Sequence, residues 1–267
     1  VTVLVWSSQG RAWAWTILLL CFGLVYALPL ATIALASVAG EWNSVLPSKL
    51  TLLHYTHALS GEALEQLRAS VLTGAIASLV ALIAGTWAAL ALRTLPKLPR
   101  GVLDMLFFLP SAVPSVSVGL GLLVAFSRPP VLLNGTILIV LIAHLVLISA
   151  FTYGNISAGL SRLPHDVEQV AESLGATPAY RLRRVTLPLL APYLIAAFSL
   201  SFAMSMGELG ATVMVYPPRW VTMPVGIFAL TDRGATFDGA ALTMVLAATT
   251  LLVLLGLSQV SRQGGAR

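Results

Sequence analysis

The run Val167–Pro192 reads VEQVAESLGATPAYRLRRVTLPLLAP. It holds two glutamates and three arginines, with Arg162 and Asp166 just ahead of it, in a protein of which only 9% of residues are charged. Pro164 suits the first turn of a helix, where its missing N–H costs nothing. Val167, Val170, Ala171 and Leu174 then fall at i, i+3, i+4 and i+7, which makes one apolar face, with Glu168, Gln169, Glu172 and Ser173 pointing elsewhere. Gly175 is a left-handed stop. Thr177–Pro178 is an N-cap followed by proline at the first helical position, so a second helix starts at once. Leu187–Pro188 then hands the chain to an apolar run. The spacing predicts a short amphipathic helix, a fixed turn and a second helix. Two readings stay open on these grounds: a filler loop lying on lipid headgroups, or a knob that docks on a partner.

The rest of the chain is of another kind. Hydrophobic residues make up 58% of the 267, against roughly 45–50% in a soluble domain. Six apolar spans can be drawn, at about Thr16–Ala39, Ala69–Leu92, Val102–Phe126, Val131–Tyr153, Leu189–Val215 and Gly239–Leu257. At about 1.5 Å per residue, such lengths cross a hydrocarbon core of roughly 30 Å. The expected fold class is an all-α polytopic membrane protein with six transmembrane helices. The expected division is an N-terminus over residues 1–15, a six-span domain over 16–257 with the polar loop at 162–188 inside it, and a tail over 258–267.

Six spans put both termini on one side. With that side as cytoplasm, Arg11, Arg93, Lys97, Arg100, Arg162, Arg181, Arg183, Arg184, Arg262 and Arg267 lie inside. Lys49, Arg68, Arg128, Arg219 and Arg233 lie outside, and ten against five favours cytoplasmic termini and a cytoplasmic polar loop. The net charge of +5 therefore reads as membrane orientation; without a basic stripe or aromatic platform it does not read as nucleic-acid binding. Val1 is not followed by a charged n-region and a small-residue cleavage site, so the first apolar run is expected to be a retained span. A lone cysteine, Cys21, excludes a disulfide framework.

Polar residues inside the spans are the candidates for a solute pathway. In FLPSAVPSVSVGLG (Phe108–Gly121), Pro110 and Pro114 each remove a helix hydrogen bond, and Ser111, Ser115 and Ser117 can satisfy the freed carbonyls. A kinked, serine-lined pathway segment and a structural kink are both compatible with this. Glu208 is the only charge between Arg184 and Arg219, and carboxylates within a membrane usually face a cavity or a partner. It is read with Thr212 as a pathway candidate, or else as a gate or subunit-interface residue. His144 is read as an interhelical hydrogen-bonding group. His54 and His57, without a carboxylate or third ligand, are a weak metal signal. Small residues recur every four positions at Ala77, Ala81, Gly85 and Ala89 and at Ser199, Ala203, Gly207 and Ala211, as in closely packed helices.

The polar loop also resembles that of permease subunits of binding-protein-dependent type I ABC importers. These have Glu-Ala-Ala, three residues, Gly, nine residues, Ile, one residue and Leu-Pro. This chain has Gln169-Val170-Ala171, three residues, Gly175, nine residues, then Val185-Thr186-Leu187-Pro188. Gln169 stands where the family has Glu, with Glu168 just before it. The resemblance implies a coupling helix that sits in a groove of an ATPase subunit, with Glu168, Gln169, Ala171, Gly175, Leu187 and Pro188 as coupling residues. Neither lysine follows a glycine, so the chain has no P-loop of its own. The resemblance implies that this chain is no enzyme and binds no cofactor, ATP and Mg being used by the partner ATPase. It further implies a second permease subunit, identical or distinct, a periplasmic or extracellular substrate-binding protein, and a place in the bacterial cytoplasmic membrane.

PSVSVGLGLLVAFS (Pro114–Ser127), HLVLISAFTYGN (His144–Asn155), SMGELGATVMVYPP (Ser205–Pro218) and VGIFALTDRG (Val225–Gly234) are similar to permeases of 2-aminoethylphosphonate importers. Molybdate, sulfate and ferric-iron permeases are the alternatives. In such importers the last outer loop meets the binding protein, which makes Arg219, Trp220, Asp232 and Arg233 candidates for that face. A gradient-driven secondary transporter is invited only by Glu208 and His144 and leaves the loop spacing unexplained. A membrane-embedded hydrolase is rejected, because His165-Asp166-Val167-Glu168-Gln169 is not H-E-x-x-H.

Overall fold

The computed structural model describes residues 8–264. The terminal residues of the expected N-terminal and C-terminal tails, Arg267 among them, lie outside that range. The described residues are helical apart from turns and one two-stranded ribbon, and they fall into two compact bodies, one reaching up to Ala63 and including Ile227–Val245, the other spanning Leu64–Gly226 and continuing from Leu246.

In the first body, α1 (Ser8–Phe22), a π-helical turn (Gly23–Ala27) and α2 (Leu28–Ser37) make one apolar helix. None of its most apolar window is buried within the protein. Its threonines return their hydroxyls to their own backbone, Thr16 to Ala12 O and Thr32 to Leu28 O, both at 2.9 Å, which removes their need for water. β1 (Ala39–Glu41) and β2 (Lys49–Leu50) pair antiparallel, and α3 (Leu53–Ala58) follows. The two histidines of α3 turn towards a carboxylate that their sequence neighbourhood lacks: Asp238 Oδ1 lies 2.7 Å from His54 Nδ1 and 3.5 Å from His57 Nδ1. His54 Nε2 is engaged by Ala39 O at 3.1 Å. This is a clasp between segments, and no group of three or more His, Cys, Asp or Glu among the described residues is arranged to hold a metal ion.

The long helix α4 (Gly61–Leu92) leads into the second body, which contains α5 (Lys97–Phe108), a 3₁₀ turn (Leu109–Ala112), α6 (Ser115–Ala125) and α7 (Ile137–Arg162). Then come α8 (His165–Ser173), α9 (Pro178–Arg181), a π-helical turn (Leu182–Thr186), α10 (Leu187–Met206) and α11 (Thr212–Val215). Finally α12 (Met223–Asp232) and α13 (Thr236–Gly264) complete the chain. Among the described residues, five helices are long and apolar enough to span a membrane: Gly10–Ser37, Gly61–Leu92, Ile137–Arg162, Pro178–Met206 and Thr236–Gln259. The pair Leu98–Ala112 and Ser115–Ala125, bent by 99°, makes a sixth if it is taken as one broken span. The protein is thus an all-α polytopic membrane protein, and the proline-marked kink of the third span is a right-angle corner.

Close packing follows the small residues of α4. Ala77, Ala81, Gly85 and Ala89 are all buried, and a Cβ on Gly85 would lie 3.3 Å from Thr152 Cγ2 of α7. Of the second stripe only Ala211, beyond the end of α10, is fully buried; Ser199 and Ala203 are partly buried. Gly207 caps the end of α10 and is exposed, and the buried face of that helix runs through Leu190, Ala197, Ser201, Phe202 and Ser205. That face is turned by two residues, about 200°, from the stripe Ser199–Ala203. The core gathers Ala89, Leu92, Tyr153, Ile156 and Ala197 at one level, with Phe107 stacked on Tyr153 at 4.5 Å between ring centroids. At another level it gathers Ile139, Val140, Ala143, Ala211 and Val215.

Candidate functional site: the polar loop and the corner after the fifth span

Helix α8 ends as its sequence demands. Gly175 has φ +83°, Ala176 N–H donates to Ala171 O at 3.0 Å and Gly175 N–H to Glu172 O at 2.9 Å. These are the paired bonds of a Schellman stop. Thr177 caps α9 by accepting from Tyr180 N, and Pro178 takes the first turn. No break follows at Leu187–Pro188. The helix runs without interruption from Pro178 to Met206, because the π-helical turn lets Leu187 N–H reach Leu182 O and so widens the backbone just before Pro188. The second helix of the loop and the fifth span are one continuous rod.

The structure gives α8 an orientation that its periodicity left open. Its apolar residues Val167, Val170 and Leu174 are exposed, as is Tyr180 beyond the turn, while Glu168 is 9% exposed. Arg93, just past the end of α4, grips the Glu168 carboxylate with both terminal nitrogens: Nη1 and Nη2 each donate to Oε1 at 3.1 Å, and Nη2 donates to Oε2 at 3.0 Å. Thr186 Oγ1, buried in the π-helical turn, adds a third bond to Oε1 at 2.6 Å. Burial pushes the Glu168 carboxyl up, but the Thr186 hydroxyl and the Arg93 guanidinium outweigh it and hold the group below the ordinary glutamate range. Glu168 is therefore engaged by its own chain, not held out for an outside contact. Gln169 is exposed, at the rim of a cavity of about 500 Å³ that Arg93, Arg100, Glu172 and Arg181 also line. Arg181 reaches back across the glycine turn to Glu172 at 2.5 Å. Ala171 and Leu187 are partly buried, and Gly175 and Pro188 exposed.

The pathway candidates separate. Ser111 is exposed and donates to Phe108 O at 2.7 Å, one of the carbonyls near the proline corner. Ser117 is exposed. Ser115 packs on Gly210, where any side chain would collide with its hydroxyl, and Gly119 meets Ala211, whose carbonyl would lie 2.7 Å from a Cβ there. Glu208 does not sit inside a helix. It lies in the corner between α10 and α11, half-buried, and its Oε1 accepts from Ala211 N at 2.7 Å, which caps the short helix α11. Thr212 is buried: it donates to Glu208 O at 3.3 Å and meets His144 Nε2 at 2.9 Å. His144 Nδ1 meets Ser205 Oγ at 2.6 Å, and the two contacts tie α7 to the end of α10 and to α11.

Polar pairs on the spans also escaped the sequence reading. Ser201 meets Thr152 at 2.6 Å, and Asp104 accepts from the Tyr153 hydroxyl beside Arg100. Only the i, i+4 spacing of Arg100 and Asp104 was there to suggest the second. Of the outer-loop candidates, Arg219 is exposed, whereas Trp220 is half-buried with its indole N–H on Thr73 Oγ1 at 2.9 Å. Met223 N bonds Ser70 Oγ at 2.7 Å, so this loop is strapped to α4. Asp232 and Arg233 are exposed at the end of α12, in the other body.

The chain is similar to known proteins in sequence and in fold. Residues 78–261 match the family described as "Binding-protein-dependent transport system inner membrane component". The chain is 55% identical to PhnV of Salmonella typhimurium (strain LT2), a protein named as a proposed 2-aminoethylphosphonate transport system permease, over 98% of this chain and 99% of that one. It is 28% identical to the putrescine transport system permease protein PotI of Escherichia coli (strain K12), over 90% and 88% of the two chains. A bacterial ABC transporter involved in the import of the acidic polysaccharide alginate has the same fold, with a TM-score of 0.76 at 16% identity over 97% of this chain and 98% of the other.

Proposed function

We propose that this chain, which belongs to the family of binding-protein-dependent transport system inner membrane components and is the permease subunit of an ABC importer, moves 2-aminoethylphosphonate. The observation that carries the solute assignment is the near-full-length likeness to the Salmonella protein. The run from Tyr216-Pro217-Pro218 to Thr231-Asp232-Arg233-Gly234 supports it.

In this reading the polar loop and both termini face the cytoplasm, as the ten-to-five distribution of basic residues favours. The exposed apolar surface of Val167, Val170, Leu174 and Tyr180 takes the ATPase subunit, which uses ATP and Mg. Exposed side chains of that size are costly on a surface that stays in water and useful on one that is covered. Gln169, Ala171 and Gly175 border the same surface, while Leu187 and Pro188 belong to the rod that carries its motion into the fifth span. A second permease subunit completes the pathway, which alternately opens to a binding protein outside and to the cytoplasm. Arg219, Asp232 and Arg233 are exposed and are assigned to the binding-protein side; Trp220 holds that loop in place. Ser115, Glu208 and Thr212 surround the corner after the fifth span and are assigned to the pathway. Ser111 and Ser117 join them as exposed hydroxyls on the two arms of the bent third span.

Uptake by the complete importer, reconstituted in vesicles with its ATPase and binding protein, tests the solute. ATP-dependent accumulation of labelled 2-aminoethylphosphonate, resistant to excess molybdate, sulfate or putrescine, is the expected result. Accumulation driven by an ion gradient without ATP would refute the importer mechanism. Accumulation of another solute alone would refute the phosphonate assignment.

A further inference from the structure

We propose that Arg93 is a positioning residue that fastens α8 to two spans at once, so that a push on α8 moves the end of α4 and the start of the fifth span together. This rests on the importer reading, in which an ATPase supplies the push. Three segments far apart in sequence meet at one carboxylate. Arg93 comes just after α4, Glu168 from α8, and Thr186 from the turn that begins the α10 rod. Oε1 of Glu168 alone accepts three of the four bonds.

The geometry suits transmission better than docking. A guanidinium that holds a carboxylate with both terminal nitrogens fixes direction as well as distance. Thr186 is 1% exposed and the Glu168 side chain 12%, whereas the Arg93 side chain is 30% exposed where it lines the cavity, so the bonds are partly shielded from water and salt. The π-helical turn places Thr186 at this point and passes without a break into α10. The pair Glu172–Arg181 makes a second strut across the Gly175 turn, but Glu172 is 68% exposed and that strut is correspondingly weaker. A filler loop would have no need of a partly buried, charged fastening whose loss strands a charge.

The test uses the assembled importer in vesicles and measures solute taken up per ATP hydrolysed, with ATPase retention on purification read in parallel. Arg93→Ala and Glu168→Gln are expected to lower that ratio about tenfold while the ATPase stays bound, since only one partner of a partly buried pair is lost. Arg93→Lys should recover part of it, and the exchange Arg93→Glu with Glu168→Arg most of it. An unchanged ratio in both single variants overturns the proposal, as does loss of the ATPase from them, which would make the network a docking element. An unfolded Arg93→Ala is covered by Arg93→Lys, which keeps the charge and loses the fork. If the wild-type complex takes up no aminoethylphosphonate, the solute assignment alone fails. The fastening is then read from basal ATP hydrolysis, which the single variants should raise and the exchange restore; equal rates in all of them overturn it.

Discussion

Gly159 of α7 and Tyr193 of α10 pack with no space for a side chain: a Cβ on Gly159 would fall 2.5 Å from Tyr193 Cγ. Tyr193 Cβ would be 2.8 Å away, so the ring cannot swing clear without moving its backbone. Gly159→Ala is therefore expected to destabilise by about 1–3 kcal/mol through overpacking, despite the gain of about 1 kcal/mol in helix propensity. Gly256 of α13 has no atom within 4 Å of a Cβ, and Gly256→Ala is the control. Thermal midpoints in detergent distinguish them. Equal midpoints for both variants would mean that the two helices can separate at no cost.

The fastening at Glu168 carries a pH signature. Its carboxyl titrates below the ordinary glutamate value, so folding favours the ionised form. The sign follows from linkage: the stabilisation is complete above the unfolded pKa of about 4.3 and fades as pH falls through the lower folded value. The advantage of the wild type over Glu168→Gln should be constant near neutrality and shrink from about pH 4.5 downward. Thermal midpoints of both proteins across that range measure it. A difference that does not change with pH would show that the network owes nothing to charge.

The exposed face of the loop predicts a clean separation of folding from assembly. Leu174 is 82% exposed and Val170 57%. Leu174→Asp and Val170→Glu should change stability by no more than about 0.5 kcal/mol, as surface changes do, with a correspondingly small shift in thermal midpoint. If this face takes the ATPase, the same variants should weaken its retention tenfold or more, about 1.4 kcal/mol per decade. Full retention by both would move the docking surface elsewhere.

What could be read from the sequence was what neighbours in the chain decide. The stop at Gly175 and the restart at Thr177–Pro178 depend on local backbone chemistry, and both are in place. The i, i+3, i+4, i+7 pattern correctly grouped Val167, Val170 and Leu174, but periodicity says which residues share a face, not which way the face points. The partners that turn Glu168 inward, Arg93 and Thr186, are 75 and 18 residues away. Pro110 and Pro114 announced a bend, while its 99° angle is set by what α6 packs on, Ala211 and Gly210 among others. The end of the fifth span at Met206 was hidden for a similar reason. Gly207-Glu208-Leu209-Gly210 contains no proline, and Gly210 is needed there only because Ser115, nearly a hundred positions earlier, fills the space.

That corner supports the last prediction. Glu208 uses Oε1 to cap α11 through Ala211 N–H. Glutamine keeps an acceptor of the same reach and removes only the charge, whereas alanine removes the cap. Glu208→Ala should therefore cost about 0.5–2 kcal/mol of stability, and Glu208→Gln much less. The proposed pathway role makes a separate demand. A zwitterionic aminoethylphosphonate offers an ammonium group to a half-buried carboxylate, while ethylphosphonate offers none. With Glu208→Gln, uptake of the amino compound should fall relative to uptake of ethylphosphonate, at unchanged thermal midpoint. Equal rates for both solutes in that variant would confine Glu208 to its capping bond, and the ammonium would have to be met elsewhere.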